Sequence, residues 1–286
     1  MAGAVERKDV DVSERQSERQ IELVLPAGHT IAVRVVGSGR PIMLVHGFPL
    51  DSSIWRKQFD ALVEIGYEVI APDLRGFGYS SPISGHVSLG DLADDLQQVT
   101  SVLAPEKPLV LVGLSMGGYV ALEYWKRYGA TLQRLVLTNT KPGVDTPEAR
   151  QGRLAMAEHV LSDDNTWDAV APMLPRLLSA RTLEHDSETT QWLKAMMSRV
   201  PPKTIAAAQL AMAARHDFTA ELGMIHTPTL VIAGEHDPIS PPAENKMWTA
   251  QMPKVTLEII DQAGHLPQVE NSQRFNDALI RFLQSP

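Results

Sequence analysis

Residues 109–118 read LVLVGLSMGG and carry the clearest indication of the fold. Its first four residues form an apolar run typical of a strand buried on both faces, and a helical pattern begins at about Met116. Between them, Gly113, Ser115 and Gly117 fit the motif G-x-S-x-G, which places a serine on a sharp turn from a strand to a helix. The N-terminus of that helix favours negative charge beside the hydroxyl group. The stretch therefore predicts an α/β protein with Ser115 as a catalytic nucleophile.

The alternation of strand and helix extends outward from this motif in both directions. Segments with apolar residues at helical spacing separate the apolar runs, and this alternation predicts a mostly parallel sheet with helices on both faces. Near the N-terminus, two more strand-like segments flank a turn at Pro26 and Gly28 and predict a β-hairpin. The apolar runs are 41–47, 69–73, 109–113, 135–139, 229–234 and 255–260, and the hairpin strands are 21–25 and 30–36.

Residues 141–216 interrupt this alternation. They contain helix-like segments but no convincing buried strand, and they are too numerous for a structureless loop between two core strands. We therefore expect an inserted helical cap at 141–216, with the α/β core formed by 20–140 and 217–286. Residues 1–19 are rich in charge and predict a polar, solvated arm, although the sequence also allows an arm that orders against the body or a second subunit.

A serine hydroxyl group needs a base to remove its proton, and histidine is the usual one. In proteins with this motif, the chain order is nucleophile, carboxylate, histidine. His265 follows the last predicted strand and lies in a loop, so we predict that it is the base. His236 is a competitor, but it precedes that strand. Three histidines fall in the insertion and are predicted to be surface residues: His159, His185 and His216.

The carboxylate that orients the base is expected just after the penultimate strand, where Glu235 and Asp237 are both available. Glu235 stands at the exit of the strand. Asp237 lies further into the loop, before Pro238, and can extend from there across to His265. We therefore predict Asp237 as the acid. The loop after the strand at 135–139 offers Asn139 rather than a carboxylate.

Two backbone N–H groups are needed to stabilise the oxyanion that forms during acyl transfer. One is expected from Met116, which follows the nucleophile, and the other from the loop after the first buried strand. This loop reads His46-Gly47-Phe48-Pro49, and because proline has no N–H we predict Phe48 as the second donor. The side chains of Phe48 and Met116 are expected to flank the nucleophile. His46 is expected to hold the loop by a hydrogen bond rather than to act as a base.

Five short segments occur in the order and spacing of a known family: HGFP at 46–49, DLRGFGYS at 73–80, GLSMGG at 113–118, AGEHD at 233–237 and AGH at 263–265. On these segments, residues 20–286 resemble the α/β-hydrolases with a helical cap. The resemblance implies a mostly parallel eight-stranded sheet with helices on both faces and a triad of Ser115, His265 and Asp237. The serine disfavours the members that use an aspartate nucleophile, the haloalkane dehalogenases and epoxide hydrolases. The resemblance also implies that 73–80 is a structural loop in which Arg75 forms an ion pair.

The residues around GLSMGG and TPTLVIAGEHD are similar to those of carboxylesterases and 3-oxoadipate enol-lactonase-like hydrolases. This implies a serine hydrolase that cleaves carboxylic esters through an acyl-enzyme, and the methionine-rich cap favours a small to medium, apolar acyl or alcohol group. Alternatives with the same triad are an enol-lactone hydrolase, a C–C bond hydrolase and a perhydrolase. A ligand receptor with a vestigial triad is the alternative that is not an enzyme. Three cap arginines leave a site for an acidic lactone open: Arg176, Arg181 and Arg199.

Composition limits the other function classes. The 286 residues are 44% hydrophobic and 21% charged, as in globular proteins, and none is cysteine. This excludes a thiol nucleophile and cysteine-ligated metal sites, and we expect no other metal and no cofactor. The formal net charge of -8 disfavours a nucleic-acid partner. Without a long apolar segment or a signal sequence, we expect a cytoplasmic protein that binds a small-molecule ester or lactone and no membrane, with a homo-oligomer left open.

Overall fold

A single sheet forms the centre of the computed structural model, which describes residues 5–10, 18–163 and 166–285. Its strands in this part of the chain are β1 (Glu6–Val10), β2 (Glu18–Val24), β3 (Thr30–Gly37), β4 (Arg40–Val45), β5 (Tyr67–Pro72), β6 (Leu109–Leu114), β7 (Leu132–Thr138), β8 (Thr229–Gly234) and β9 (Val255–Ile260). Their order is β1-β2-β3-β5-β4-β6-β7-β8-β9. The first three strands pair in antiparallel fashion, and the other six run parallel to one another. The predicted mostly parallel sheet is therefore confirmed.

The described sheet has nine strands rather than the eight expected. The additional strand is β1, which pairs with β2 and comes from the segment 1–19 that we expected to be a solvated arm. Its residues Glu6, Arg7 and Lys8 are exposed. A strand at the edge of a sheet can keep charged side chains in water and still pair its backbone, so its sequence carries no apolar pattern. The rest of the expected arm, 1–4 and 11–17, lies outside the described residues.

The helices of the core fill the connections between parallel strands. α3 (Met116–Tyr128) packs against β6 and β7, and both α10 (Pro242–Thr249) and α12 (Ser272–Gln284) pack against β8 and β9. The helix α2 (Leu89–Leu103) is preceded by a capping box, because Ser88 and Asp91 each bond the other's backbone N–H. The core helices are α1 (Phe59–Glu64), α2 (Leu89–Leu103), α3 (Met116–Tyr128), α10 (Pro242–Thr249), α11 (Pro267–Glu270) and α12 (Ser272–Gln284).

Between β7 and β8 the described chain is helical, as expected for the insertion. Its helices are α4 (Pro147–Asp163), α5 (Thr166–Val170), α6 (Leu174–Leu177), α7 (Ala180–His185), α8 (Ser187–Ser198) and α9 (Pro202–Ala213). Asp145 near its start bonds Arg215 near its end through two contacts of 2.7 and 2.8 Å, and Arg153 adds a third at 2.7 Å. This buried ion cluster ties together the two ends of the insertion. No described helix is long and apolar enough to cross a membrane.

The parallel strands place their carboxyl ends at one edge of the sheet, which is where ligands bind in open α/β folds. The loops after β4, β6, β7, β8 and β9 all begin at this edge. Four residues that follow these strands are thereby brought together from distant parts of the sequence. They are Ser115, Asn139, Asp237 and His265.

Candidate active site

The turn that carries Ser115 is sharp and strained. Ser115 has φ 53° and ψ −112°, and its N–H donates to Thr138 O at 2.9 Å, so the backbone leaves β6 beside β7 and immediately enters α3. A Cβ atom on Gly113 would overlap the backbone of Gly117, and one on Gly117 would overlap the carbonyl of Val45. Both glycines of the motif are therefore needed for close backbone approach. The turn leaves Ser115 partly exposed.

A continuous hydrogen-bonded chain joins the three predicted catalytic side chains. His265 Nε2 lies 2.8 Å from Ser115 Oγ, and His265 Nδ1 lies 2.8 Å from Asp237 Oδ2. The histidine and the aspartate are 2% and 3% exposed. Because the carboxylate accepts hydrogen bonds only, Nδ1 carries the proton, which leaves Nε2 free to accept from the serine hydroxyl group.

The carboxylate of Asp237 accepts four hydrogen bonds. Besides His265, Oδ2 accepts from Asn139 Nδ2 at 2.6 Å and from Ser240 Oγ at 2.5 Å, and Oδ1 accepts from the N–H of Ile239 at 2.8 Å. Burial by itself raises the pKa of Asp237, but the nearby His265 and these hydrogen bonds outweigh it and hold the pKa well below its usual range. Asp237 therefore stays ionised at neutral pH.

Asn139 and Ser240 were not predicted as part of the site. Asn139 directly follows β7 and has a φ of 45°, which turns its side chain back toward the acid, and Nδ2 also lies 3.3 Å from Gly264 O. Ser240 follows Asp237 by three residues. The available signal was that neighbouring parallel strands end at one edge, so the first residue after β7 must lie near the loop after β8.

Glu235 and His236, the alternatives for the acid and the base, take no part in this chain of hydrogen bonds. Glu235 accepts from the N–H of Gln262 at 3.0 Å and lies 3.6 Å from the ring of His236, and both side chains are about half exposed. The ring nitrogens of His265 are bonded to Asp237 and Ser115 instead. The three histidines of the insertion, His159, His185 and His216, are exposed, as expected.

His46 is buried and holds the loop that follows β4. Its Nε2 accepts from the N–H of Leu74 at 3.0 Å, so Nδ1 is the protonated nitrogen and donates to Gly47 O at 2.9 Å. Burial lowers the pKa of His46 and keeps the ring neutral. As expected, this histidine joins two loops, and both of its ring nitrogens are engaged there rather than with the serine.

The loop 46–49 lies directly against the serine turn. A Cβ atom on Gly47 would stand 3.2 Å from Ser115 Cβ and 3.1 Å from Leu114 O. Among the described residues, no acceptor takes the backbone N–H of Phe48 or of Met116. Both side chains are buried, and the ring of Phe48 packs edge-on against Phe77 with centroids 6.3 Å apart. Two unused N–H groups are thus available on the two segments that meet at the nucleophile.

Three of the arginines considered in the sequence analysis form ion pairs or line cavities outside the triad. Arg75 forms two hydrogen bonds with Asp95, at 2.9 and 2.7 Å, so it is an ion-pair partner as expected. Arg199 lies 3.8 Å from Asp51, and both line a cavity of about 120 Å³ between the core loops and the insertion. Arg181 lines a groove with His236. In the described part of the chain, no three histidine, aspartate or glutamate residues are grouped as metal ligands.

Known proteins share this fold and about a third or less of this sequence. The sequence profile of the α/β-hydrolase fold family matches residues 40–272. A thermophilic esterase from Thermogutta terrifontis, in a malate-bound structure, is 35% identical, with a TM-score of 0.87 and 98% of each chain covered. A putative non-heme chloroperoxidase from Synechocystis sp. is 30% identical over 87% of this chain and 93% of its own length. A pimeloyl-[acyl-carrier protein] methyl ester esterase from Nitrosospira multiformis is 26% identical over 88% of this chain and 98% of its own.

Proposed function

The chain belongs to the α/β-hydrolase fold family, whose relatives support a hydrolase activity, and we propose that it is a serine hydrolase of carboxylic esters. The observation that carries this proposal is the hydrogen-bonded chain from Ser115 through His265 to Asp237, with both contacts at 2.8 Å. An ordinary serine hydroxyl group is a weak nucleophile, and this arrangement gives it a base and gives the base an orienting anion.

In the first step, Ser115 Oγ attacks the carbonyl carbon of the ester while His265 Nε2 takes its proton. The carbonyl π electrons move to oxygen and form an oxyanion, which accepts hydrogen bonds from the N–H groups of Phe48 and Met116. Asp237 stabilises the imidazolium that results. Because its pKa is held low, it does not itself take up the proton.

In the second step, the tetrahedral intermediate collapses. His265 Nε2 donates its proton to the oxygen of the leaving alcohol, the C–O bond breaks, and the acyl group remains on Ser115 Oγ. Water then attacks the acyl carbon while His265 takes a proton from it. Collapse of the second intermediate returns that proton to Ser115 and releases the carboxylic acid, so every proton transfer is carried by the triad itself.

The residues around the nucleophile support the proposed substrate class. The side chains of Phe48 and Met116, the neighbours of the proposed oxyanion site, are apolar and buried, which favours an apolar acyl or alcohol group. Arg199 lines the cavity between the core loops and the insertion, but Asp51 lies beside it, and this carboxylate offsets the attraction of the arginine for an acidic lactone. We therefore prefer a neutral ester of small to medium size.

A second candidate uses the same acyl-enzyme with a different acceptor. Hydrogen peroxide in place of water would give a peracid, and the similarity to a putative non-heme chloroperoxidase favours this reaction over C–C bond hydrolysis. A non-catalytic receptor is the least favoured function, because a vestigial triad has no need of four hydrogen bonds to its acid. Parallel assays with water and with peroxide as acceptors separate the two catalytic functions.

The decisive experiment removes the nucleophile. Ser115→Ala should abolish hydrolysis of p-nitrophenyl esters from acetate to decanoate, with a loss on the order of 10⁶ in turnover, the size found when a triad serine is removed from subtilisin. Ser198→Ala, an exposed serine on α8, is the matched control. A fluorophosphonate should label only the peptide that contains Ser115. Retention of more than a few per cent of the activity by Ser115→Ala would disprove the assignment.

A further inference from the structure

A carboxylate outside the triad joins the helical insertion to the loop of the proposed base. Glu270 is the last residue of α11 and follows His265 by five residues. Its Oε1 accepts from the N–H of Gly264 at 2.8 Å. Its Oε2 accepts from the N–H of Ser179 at 2.7 Å and from Thr182 Oγ at 2.8 Å. One side chain thus holds the residue before His265 and the start of α7 together.

Other contacts join the same two segments, the loop before His265 and the start of α7. The N–H of His265 donates to Leu177 O at 3.1 Å. A Cβ atom on Gly264 would stand only 2.7 Å from the backbone nitrogen of Ser179, so the segments touch where only a glycine fits. The insertion therefore packs directly against the loop that carries His265.

The placement of this backbone determines the geometry of the base. His265 must keep both Nδ1 at Asp237 and Nε2 at Ser115, each at 2.8 Å, and a small shift of its Cα would lengthen one or both contacts. Gly264 has no side chain to restrict its own φ and ψ. The loop therefore needs an external anchor, and the carboxylate of Glu270 supplies it.

We propose that Glu270 is a positioning residue that couples the insertion to His265. The inference rests on the proposed function, since it assigns a purpose to the placement of the base. Glu270 acts through the backbone of Gly264, since its carboxylate is hydrogen-bonded to Gly264, Ser179 and Thr182 and to no triad side chain among the described residues. Its hydrogen bonds to Gly264, Ser179 and Thr182 come from neutral N–H or O–H donors, which suits a group that only accepts.

The test is Glu270→Gln, because an amide of the same shape brings an NH₂ group against at least one N–H donor. The matched control is Glu244→Gln, an exposed glutamate in the first turn of α10. Each protein is treated with excess fluorophosphonate, and two quantities are measured: the rate constant for labelling of Ser115 and the final number of labels per chain. We expect the rate constant of Glu270→Gln to fall roughly tenfold to a hundredfold, as for a misplaced catalytic group, with full final labelling. In ester hydrolysis, kcat should fall by a similar factor while KM changes little.

A rate constant equal to that of Glu244→Gln would overturn the proposal. So would a lower final labelling with an unchanged rate constant in the labelled fraction, because this means that Glu270 only keeps the chain folded. If Glu270→Gln does not fold, Thr182→Val removes one of the three donors and should slow labelling in the same direction; no slowing would equally overturn the proposal. A failure of the proposed function is distinct from these results, because the parent protein would then not be labelled at Ser115.

Discussion

Replacing Asp237 by asparagine tests the proposed acid at the level of single hydrogen atoms. The carboxylate accepts at both oxygens, and an amide can accept at only one. If the amide oxygen takes the place of Oδ2, the NH₂ group faces the N–H of Ile239, which now donates to Oδ1 at 2.8 Å. If the amide is reversed, the NH₂ group faces Nδ1 of His265, which must then lose its proton. The proton moves to Nε2, and Nε2 can no longer accept from Ser115.

The magnitude of the loss follows from the burial of the pair. His265 and Asp237 are 2% and 3% exposed, so water cannot replace the missing negative charge beside the imidazolium. The same change in a serine protease lowers turnover about 10⁴-fold, which corresponds to about 5 kcal/mol of activation free energy. Glu235→Gln is the matched control, because Glu235 is half exposed and bonds the N–H of Gln262. Loss of one such hydrogen bond amounts to about 1 kcal/mol, so we expect less than a tenfold effect.

The assay is steady-state hydrolysis of p-nitrophenyl acetate by the parent and the two variants, each shown by thermal melting to be folded at the assay temperature. We expect Asp237→Asn to lose nearly all turnover and Glu235→Gln to keep most of it. The reasoning is wrong if the order is reversed, because Glu235 would then be the residue that orients the base. It is also wrong if Asp237→Asn retains a tenth or more of the parent turnover.

Three further predictions concern the fold and the mechanism. Asp145→Asn should lower the free energy of unfolding at pH 7 by about 3–5 kcal/mol, because it leaves Arg215 buried without its partner. Burial raises the pKa of Asp145, but Arg215 and Arg153 outweigh it and lower the pKa to about 2, so its stabilisation is complete above about pH 4 and is lost as the pH falls toward 2. The free energy of unfolding, measured in urea, should therefore differ between parent and variant by about 1 kcal/mol less at pH 3 than at pH 5. A difference that stays constant over this interval contradicts the role of the ionised carboxylate. Gly117→Ala should destabilise the fold by about 1–3 kcal/mol through overlap with Val45 O, whereas Gly152→Ala, with nothing within 4 Å, should not; equal urea midpoints would refute this. Dialysis against EDTA should leave turnover unchanged, since the described residues contain no group of three metal ligands, and a loss that zinc restores would contradict the mechanism.

The parts of the fold that follow from local pattern could be predicted from the sequence. The run LVLV becomes β6, all of whose residues are buried, and the helix α3 begins at Met116, as the motif requires. The order of strands and helices places Asp237 and His265 in the loops after β8 and β9. In each case, the information lies within a short window of residues or in the order of such windows along the chain.

The remaining features depend on which segments meet in space. Nothing local distinguishes Asn139 from a turn residue, yet its amide contacts an acid that lies 98 residues later in the chain. Glu270 contacts residues 88 and 91 positions before it. The strand β1 was missed for a different reason. Backbone pairing at the exposed edge of a sheet requires no apolar side chains, so the sequence of β1 shows no strand pattern.

If the proposed function is right, we expect the insertion to affect catalysis as well as substrate binding. Three of its contacts with the core bear on this: Thr204 donates to Gly76 O at 3.1 Å, Arg199 lies 3.8 Å from Asp51, and the segment 177–182 is hydrogen-bonded to the loop of His265 and to Glu270. Of these three contacts, the third bears on the base. A substitution that shifts 177–182 should therefore lower kcat, whereas one confined to Arg199 should change KM. The separate changes in kcat and KM would therefore distinguish a residue of the insertion that positions the proposed base from one that lines the cavity.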